Sequence, residues 1–425
     1  MKPTVRHPVP TAVAALTLAL LIAAGCTSTT KLPPASPSFP PASTVAPSQG
    51  GAVTAIPPSA SAQDQPGDYV GSAACGACHA NEWASHSKTR HAHTLTPMTV
   101  AALGKKAPPE GMMKGTDFGL GIIDGRFALL RREPGRPWFL DYALGSGKQG
   151  MTYVSIGSPR FPAPNVVFEM RRSYIPRKKQ WYITPGQEGE EKMPDVVGRT
   201  RRGAEARQCI LCHAVTTGAD DLNPEPRFMG VGCESCHGPG SAHIAAVKAG
   251  RTTDLKMEDL SKAGGKRLNA LCGACHGTPE FVSTIVESQR LGQRFMPYGL
   301  AQSRCFQQSA DRLSCSTCHN PHADADTDPK KYEKVCLSCH SPAGTASSSA
   351  RLASMKRPTN LEAPSTASAG ASAEAGKVCP VNSHTGCIRC HMPTRDVFAI
   401  NGNRIPIAMA DHWIRINRES TKATH

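Results

Sequence analysis

Hydrophobic and polar residues alternate differently in successive stretches of this chain, and each stretch predicts a different kind of segment. Behind Lys2 and Arg6, an apolar run from Val9 to Ala24 ends in Ala23-Ala24-Gly25-Cys26. The run is short for a bilayer span, which needs about 20 apolar residues, and small residues before a cysteine have the form of a bacterial lipobox. Residues 1–25 therefore read as a lipoprotein signal peptide, and Cys26 as the residue that is lipidated. Residues 26–66 are Pro, Ser, Ala and Thr with almost no charge or aromatic content, and are expected to be a disordered tether.

Between residues 101 and 206 the pattern has a period of two. Runs at Arg126–Leu130, Trp138–Leu144, Met151–Ile156, Val166–Met170 and Trp181–Thr184 are separated by turn formers such as Asp124-Gly125 and Gly145-Ser146-Gly147. This predicts an antiparallel β-meander. Beyond it, residues 207–340 predict short helices and turns, residues 341–376 form an Ala/Ser-rich low-complexity loop, and residues 377–425 form a return segment that folds back on the main body.

The cysteines change this picture. A single short pattern occurs seven times: Cys75-Gly-Ala-Cys78-His79, Cys209-Ile-Leu-Cys212-His213, Cys233-Glu-Ser-Cys236-His237, Cys272-Gly-Ala-Cys275-His276, Cys315-Ser-Thr-Cys318-His319, Cys336-Leu-Ser-Cys339-His340 and Cys387-Ile-Arg-Cys390-His391. Cysteines three apart lie on one helical turn and can bond the two vinyl groups of a porphyrin, while the adjacent histidine reaches the iron. Zinc ribbons and redox dithiols also use Cys-x-x-Cys, but neither requires the following histidine. Seven covalently attached c-type haems are therefore expected, with His79, His213, His237, His276, His319, His340 and His391 as proximal ligands. The first haem module is residues 67–100, the β-rich basic insertion 101–206, and the five-haem core 207–340, with the seventh haem in 377–425.

Seven further histidines are available for the opposite faces of the irons: His86, His91, His93, His243, His322, His384 and His412. His243 follows the helix-breaking Gly238-Pro239-Gly240, and His322 follows Pro321. Both lie too close to a proximal histidine to bend round to the same iron, so each is expected to serve a neighbouring haem. His412 has the acidic neighbour Asp411; in the first module His91 is the leading candidate, then His86. Met98 and Met392 are further axial candidates, and Cys305 with Cys379 is the candidate disulfide of an oxidising compartment.

At Asp68-Tyr69-Val70-Gly71-Ser72-Ala73-Ala74-Cys75, Cys236-His237-Gly238-Pro239-Gly240, His319-Asn320-Pro321-His322 and Asp411-His412-Trp413, the chain resembles multihaem cytochromes of the cytochrome c-552/c-554 type, relatives of pentahaem nitrite reductase and octahaem hydroxylamine oxidoreductase. The resemblance implies that His243 and His322 bind haems other than their nearest one. It also implies a fold that is mainly α with much irregular structure, a multihaem cytochrome c bundle, here with the antiparallel β-meander as an insertion. The nitrite reductases of this group usually carry one Cys-x-x-Cys-Lys haem, whereas all seven signatures here end in histidine.

Composition fits a core filled partly by cofactor, since only 39% of residues are hydrophobic and 5% aromatic. A formal charge of +15, from 48 Lys and Arg against 33 Asp and Glu, would ordinarily suggest nucleic acid. Seven haems bring fourteen propionate carboxyls, however, and offset most of that excess, so nucleic acid is not expected as a partner. The sequence thus predicts an exported, lipid-anchored heptahaem electron carrier, periplasmic or outer-membrane associated, that works with redox protein partners. Its rivals are a multihaem oxidoreductase acting on a small nitrogen or sulfur compound at one five-coordinate haem, and a haem-wire subunit of a larger complex.

Overall fold

The structure, a computed structural model, describes residues 68–132, 135–157, 163–189, 197–283, 294–340, 378–398 and 404–416. The signal peptide, Cys26, the tether and the low-complexity loop lie outside them. Among the described residues the strands are β1 (Leu95–Pro97), β2 (Gly111–Met112), β3 (Phe118–Ile123), β4 (Arg126–Arg131), β5 (Trp138–Phe139), β6 (Tyr142–Leu144), β7 (Met151–Ile156), β8 (Val166–Ile175), β9 (Gln180–Ile183), β10 (Gly198–Arg202), β11 (Thr394–Phe398) and β12 (Arg404–Ala410). No helix among them is long and apolar enough to cross a membrane.

The expectation of a mainly helical fold is corrected here. The longest described helices, Gly265–His276 and Pro329–His340, run only 12 residues, and antiparallel sheets carry most of the apolar core. The physical reason is that a signature needs a single turn to bring its two cysteines and histidine together. Several of these helices stop at the histidine itself, and the next glycine takes a left-handed conformation, as at Gly238 (φ 80°) and Gly277 (φ 86°).

The β region is also more than one meander. Strands β2 to β5 form one sheet in chain order, while β1-β6-β7-β8-β10, with β9 also paired to β8, form a second. The β3–β4 hairpin closes through Asp124-Gly125, both at positive φ (49° and 75°), the two-residue turn that its sequence predicts. The predicted strand Trp138–Leu144 is split at buried Leu140, so that β5 pairs with β4 and β6 with β7. That break lets one continuous run serve two sheets.

Alternation along the strands builds two cores. On one face of the second sheet, Met151, Tyr153, Phe168, Met170 and Tyr174 pack with Phe127 and Leu129 of the first and with Leu140 between the two. On the other face, Val154 and Val167 pack with Leu95 and with Ala206 and Ile210 of the helix Gly203–Leu211. That helix leads into the second signature. It is held further by Arg201 of β10, whose guanidinium lies 2.8 Å from Glu169 of β8 and also pairs with Glu205.

The return segment forms the β11–β12 hairpin, which the alternation pattern did not reveal. Val397, Ile405 and Ile407 cluster with Ile175 at the end of β8, with Tyr182 and Met409 packed alongside. This small cluster moors the C-terminal hairpin to the sheet. Ile405→Ala is expected to cost about 2–5 kcal/mol and to lower the thermal midpoint of the mature protein in calorimetry, because few other apolar groups can refill the space.

Candidate functional site

We number the seven signatures as sites 1 to 7 in chain order. In site 1 the His79 N–H donates to the Cys75 carbonyl at 2.9 Å, and the same i to i+4 bond joins His237 to Cys233 (3.0 Å) and His319 to Cys315 (2.9 Å). One turn of helix therefore sets the first cysteine and the histidine of a signature side by side.

Among the described residues, His79, His237, His319 and His276 each have a second imidazole facing them. The ring centroids lie 6.5 Å apart for His79 and His243, 6.3 Å for His237 and His322, 6.2 Å for His319 and His412, and 6.0 Å for His91 and His276. Two metal–nitrogen bonds of about 2 Å and two ring radii of about 1 Å span about 6 Å, so each gap has the width of one metal held between two imidazoles. Among the described residues no three of His, Cys, Asp or Glu gather into a metal cage of their own. The other four ligands must therefore arrive with the metal, which is what a porphyrin provides.

Hydrogen bonds set the tautomers. Nδ1 of His243 lies 2.9 Å from the Leu255 carbonyl, Nδ1 of His412 3.0 Å from that of Ala410, Nδ1 of His213 3.1 Å from that of Thr94, and Nδ1 of His391 3.1 Å from that of Arg415. A carbonyl only accepts, so Nδ1 is the donor in each and the lone pair is on Nε2, the ligating nitrogen. Desolvation by the surrounding chain holds the imidazoles of His213, His276 and His319 down to about 4, which keeps the neutral, metal-binding form. The residues present thus fit haem c.

Each facing ring comes from a segment that follows another signature. His243 follows site 3 and faces site 1; His322 follows site 5 and faces site 3; His91 follows site 1 and faces site 4; His412 follows site 7 and faces site 5. Buried Glu234, inside signature 3, locks part of this exchange by accepting from the N–H groups of Val70 (2.9 Å), Gly71 (2.8 Å) and Gly240 (2.8 Å). Nothing in its sequence position marks it for this role. Gly230, at φ 84°, donates to the His213 carbonyl (2.9 Å), and Val231 donates to that of His91 (2.9 Å), tying sites 2 and 4 together.

The remaining candidates fall elsewhere. His86 is buried beside His91, His237 and His322, and burial pushes its pKa down to about 4, but it faces no signature histidine. His93 and His384 are exposed. Met98 is packed in the sheet core with Leu103 and Phe127. Cys305 lies near Cys339 of site 6, and Cys379 near Cys387 of site 7. His213 has no imidazole opposite it among the described residues.

Comparison with known proteins agrees with this chemistry. The family model described as cytochrome c554 and c-prime matches residues 176–238, which hold sites 2 and 3. Multiheme cytochrome MtrA of Shewanella baltica is 24% identical over 182 residues, covering 33% of this chain and 53% of the relative. Cytochrome c-554 of Nitrosomonas europaea is 31% identical over 107 residues, covering 22% of this chain and 45% of the relative. The chain thus spans about half the length of the curated relatives it matches. Among solved structures, outer cell wall cytochrome OcwA aligns with a TM-score of 0.42 at 16% identity, over 84% of this chain and 81% of that one.

Two predictions follow from the facing rings. In the oxidised holoprotein, His243→Ala, His322→Ala or His412→Ala should each turn one low-spin iron high-spin in electron paramagnetic resonance, while His384→Ala should change none. Acid should also loosen the fold. The unfolded chain takes up protons on these histidines near pH 6.5, whereas His213, His276 and His319 in the folded chain resist until about 4. Their contribution to stability is complete above about pH 6.5 and is lost as the pH falls towards 4, which an acid titration followed by circular dichroism would record.

Proposed function

We propose that this chain, a multihaem c-type cytochrome, is a heptahaem carrier of single electrons, working between redox protein partners in the periplasm or at the outer membrane, anchored through lipid on Cys26. Each bound haem supplies an iron that takes up and gives back one electron. The observation that carries the reading is the set of four facing imidazole pairs. With haem bound, the second imidazole would fill the position that a substrate needs and would stay in place in both oxidation states, so little would have to reorganise.

The rest of the chain supports that task. The carbonyls of Thr94, Leu255, Ala410 and Arg415 hold the imidazoles in orientation. The two sheets and the C-terminal hairpin keep the donor segments in register. Basic side chains, 18 Lys and Arg against 11 Asp and Glu in residues 101–206, balance the propionates and favour an acidic partner over nucleic acid.

His213 motivates a second reading, in which site 2 leaves one iron face open and acts on a small nitrogen or sulfur compound. The two readings separate in one set of measurements. If the reduced holoprotein is reoxidised by redox proteins but not by added nitrite or hydroxylamine, and cyanide leaves its spectrum unchanged, it is a carrier. Turnover of either compound, together with cyanide binding at a single high-spin iron, would establish the oxidoreductase instead. For the anchor, Cys26→Ser should move the protein from the membrane fraction to the soluble fraction.

A further inference from the structure

The side chain of Asp411 is only 2% exposed, and a carboxylate so far from water is tolerated only where cations and donors surround it. Asp411 has both. The guanidinium of Arg415 lies 3.0 Å from its Oδ2, and that of Arg395 on β11 lies 3.4 Å from the same oxygen. Its Oδ1 accepts from the Trp413 N–H at 3.0 Å. Although Asp411 stands next to His412, the His412 ring donates from Nδ1 to the Ala410 carbonyl and not to this carboxylate.

What Asp411 holds is the path of the chain from Ala410 to Arg415, and that path serves two sites. At one end His412 faces His319 of site 5 across 6.2 Å. Its backbone is fixed by fully buried Ser303, ahead of site 5, whose hydroxyl lies 3.2 Å from the His412 carbonyl and accepts from the Ile414 N–H at 2.8 Å. At the other end the Arg415 carbonyl accepts from Nδ1 of His391, the proximal histidine of site 7, at 3.1 Å, and the Arg415 N–H donates back to the His391 carbonyl at 3.4 Å. The Arg415 side chain curls over this turn: besides pairing with Asp411, it donates to the Trp413 carbonyl (2.9 Å) and lies 4.1 Å from the centre of the Trp413 ring. The Asp411 N–H closes the arrangement by donating to the carbonyl of Pro393, just past signature 7, at 3.1 Å.

We propose that Asp411 is a positioning residue shared by sites 5 and 7: through Arg415 and the turn at Trp413, one buried carboxylate sets the distal imidazole of site 5 and the carbonyl that orients the proximal imidazole of site 7. This rests on the reading that both signatures carry haem. An N–H to carbonyl bond on an axial imidazole fixes its orientation and makes it a stronger donor to the iron, so the ion pair tunes site 7 while it seats the ligand of site 5. The two irons, whose signatures lie far apart in the chain, are thereby adjusted by one group.

Asp411→Asn keeps the shape and the acceptor for the Trp413 N–H but removes the charge that holds Arg395 and Arg415. In the oxidised holoprotein it should turn part of one low-spin iron high-spin in electron paramagnetic resonance, the same iron that His412→Ala converts. In a redox titration followed by the same signals it should also raise the potential of site 7, because an imidazole released from its carbonyl acceptor is a weaker donor. The site 7 signal is the one missing from the double variant Cys387→Ala, Cys390→Ala, which has no thiols to attach that haem. Ser303→Ala provides the contrast: it loosens the His412 backbone alone, so it should disturb site 5 and leave the potential of site 7 unchanged. Arg415→Ala leaves Asp411 and every backbone carbonyl in place and should reproduce the double effect, which keeps the proposal testable if Asp411→Asn does not mature. An effect of Asp411→Asn and Arg415→Ala on one site only, on neither, or on all sites alike would overturn the proposal, as would a shift of site 7 in Ser303→Ala as large as theirs. A pyridine haemochrome count separates this failure from that of the reading beneath it. With seven haems per chain in the wild type, unchanged sites 5 and 7 overturn the proposal alone; fewer than seven, with no signal lost in the double variant, overturn both.

Discussion

The interaction on which this molecule depends is the pair of imidazoles that face each other across one metal's width. A gap of about 6 Å between ring centroids leaves little tolerance, because a metal–nitrogen bond is short and directional. None of the four pairs is made by one local segment. His412 must travel from the C-terminal hairpin to His319, and His91 must travel from the first module to His276. No such site is complete until a distant stretch of chain has found its place, so metal binding and tertiary folding are coupled here.

That coupling explains what the sheets do. They hold no haem signature, yet they bury Ala206 just ahead of site 2 and Ile210 within it, and moor the hairpin that delivers His412. Short helices could not provide this, since each contributes about one turn of apolar surface. The cost of bringing so many histidines out of water is offset by carbonyls that accept from Nδ1, which leave Nε2 as the nitrogen with the free pair. Desolvation that keeps His213, His276 and His319 neutral makes the fold sensitive to acid.

Charge follows the same logic. A chain with +15 and few aromatic residues looks unlike a well-packed globular protein when its cofactors are left out. If each of the seven signatures carries a haem, as proposed, fourteen propionates and seven planar macrocycles would account for both the basic excess and the thin apolar content. Pairs such as Arg201 with Glu169 remain structural, since they lie against the strand that leads into site 2.

The cofactor was legible in the sequence because covalent attachment demands fixed residue types at fixed spacing, and seven copies leave little room for coincidence. Local turn chemistry was legible too, as at Asp124-Gly125, because two positive φ angles select those residues. The alternation of the central strands was readable, but the split at Leu140, the strands β3 and β10 and the C-terminal hairpin were not: glycines interrupt β3, β10 is Gly-Arg-Thr-Arg-Arg with no apolar face of its own, and the hairpin buries its side chains against Ile175, far back along the chain. Nor could spacing show that His86 is buried beside His91, or that Glu234 ties three backbone amides. By itself the sequence determined what the chain binds and how many attachment points it offers, through short-range covalent geometry. Only the tertiary structure decided which histidine faces which site and which signatures adjoin, because those depend on contacts between segments that the sequence keeps apart.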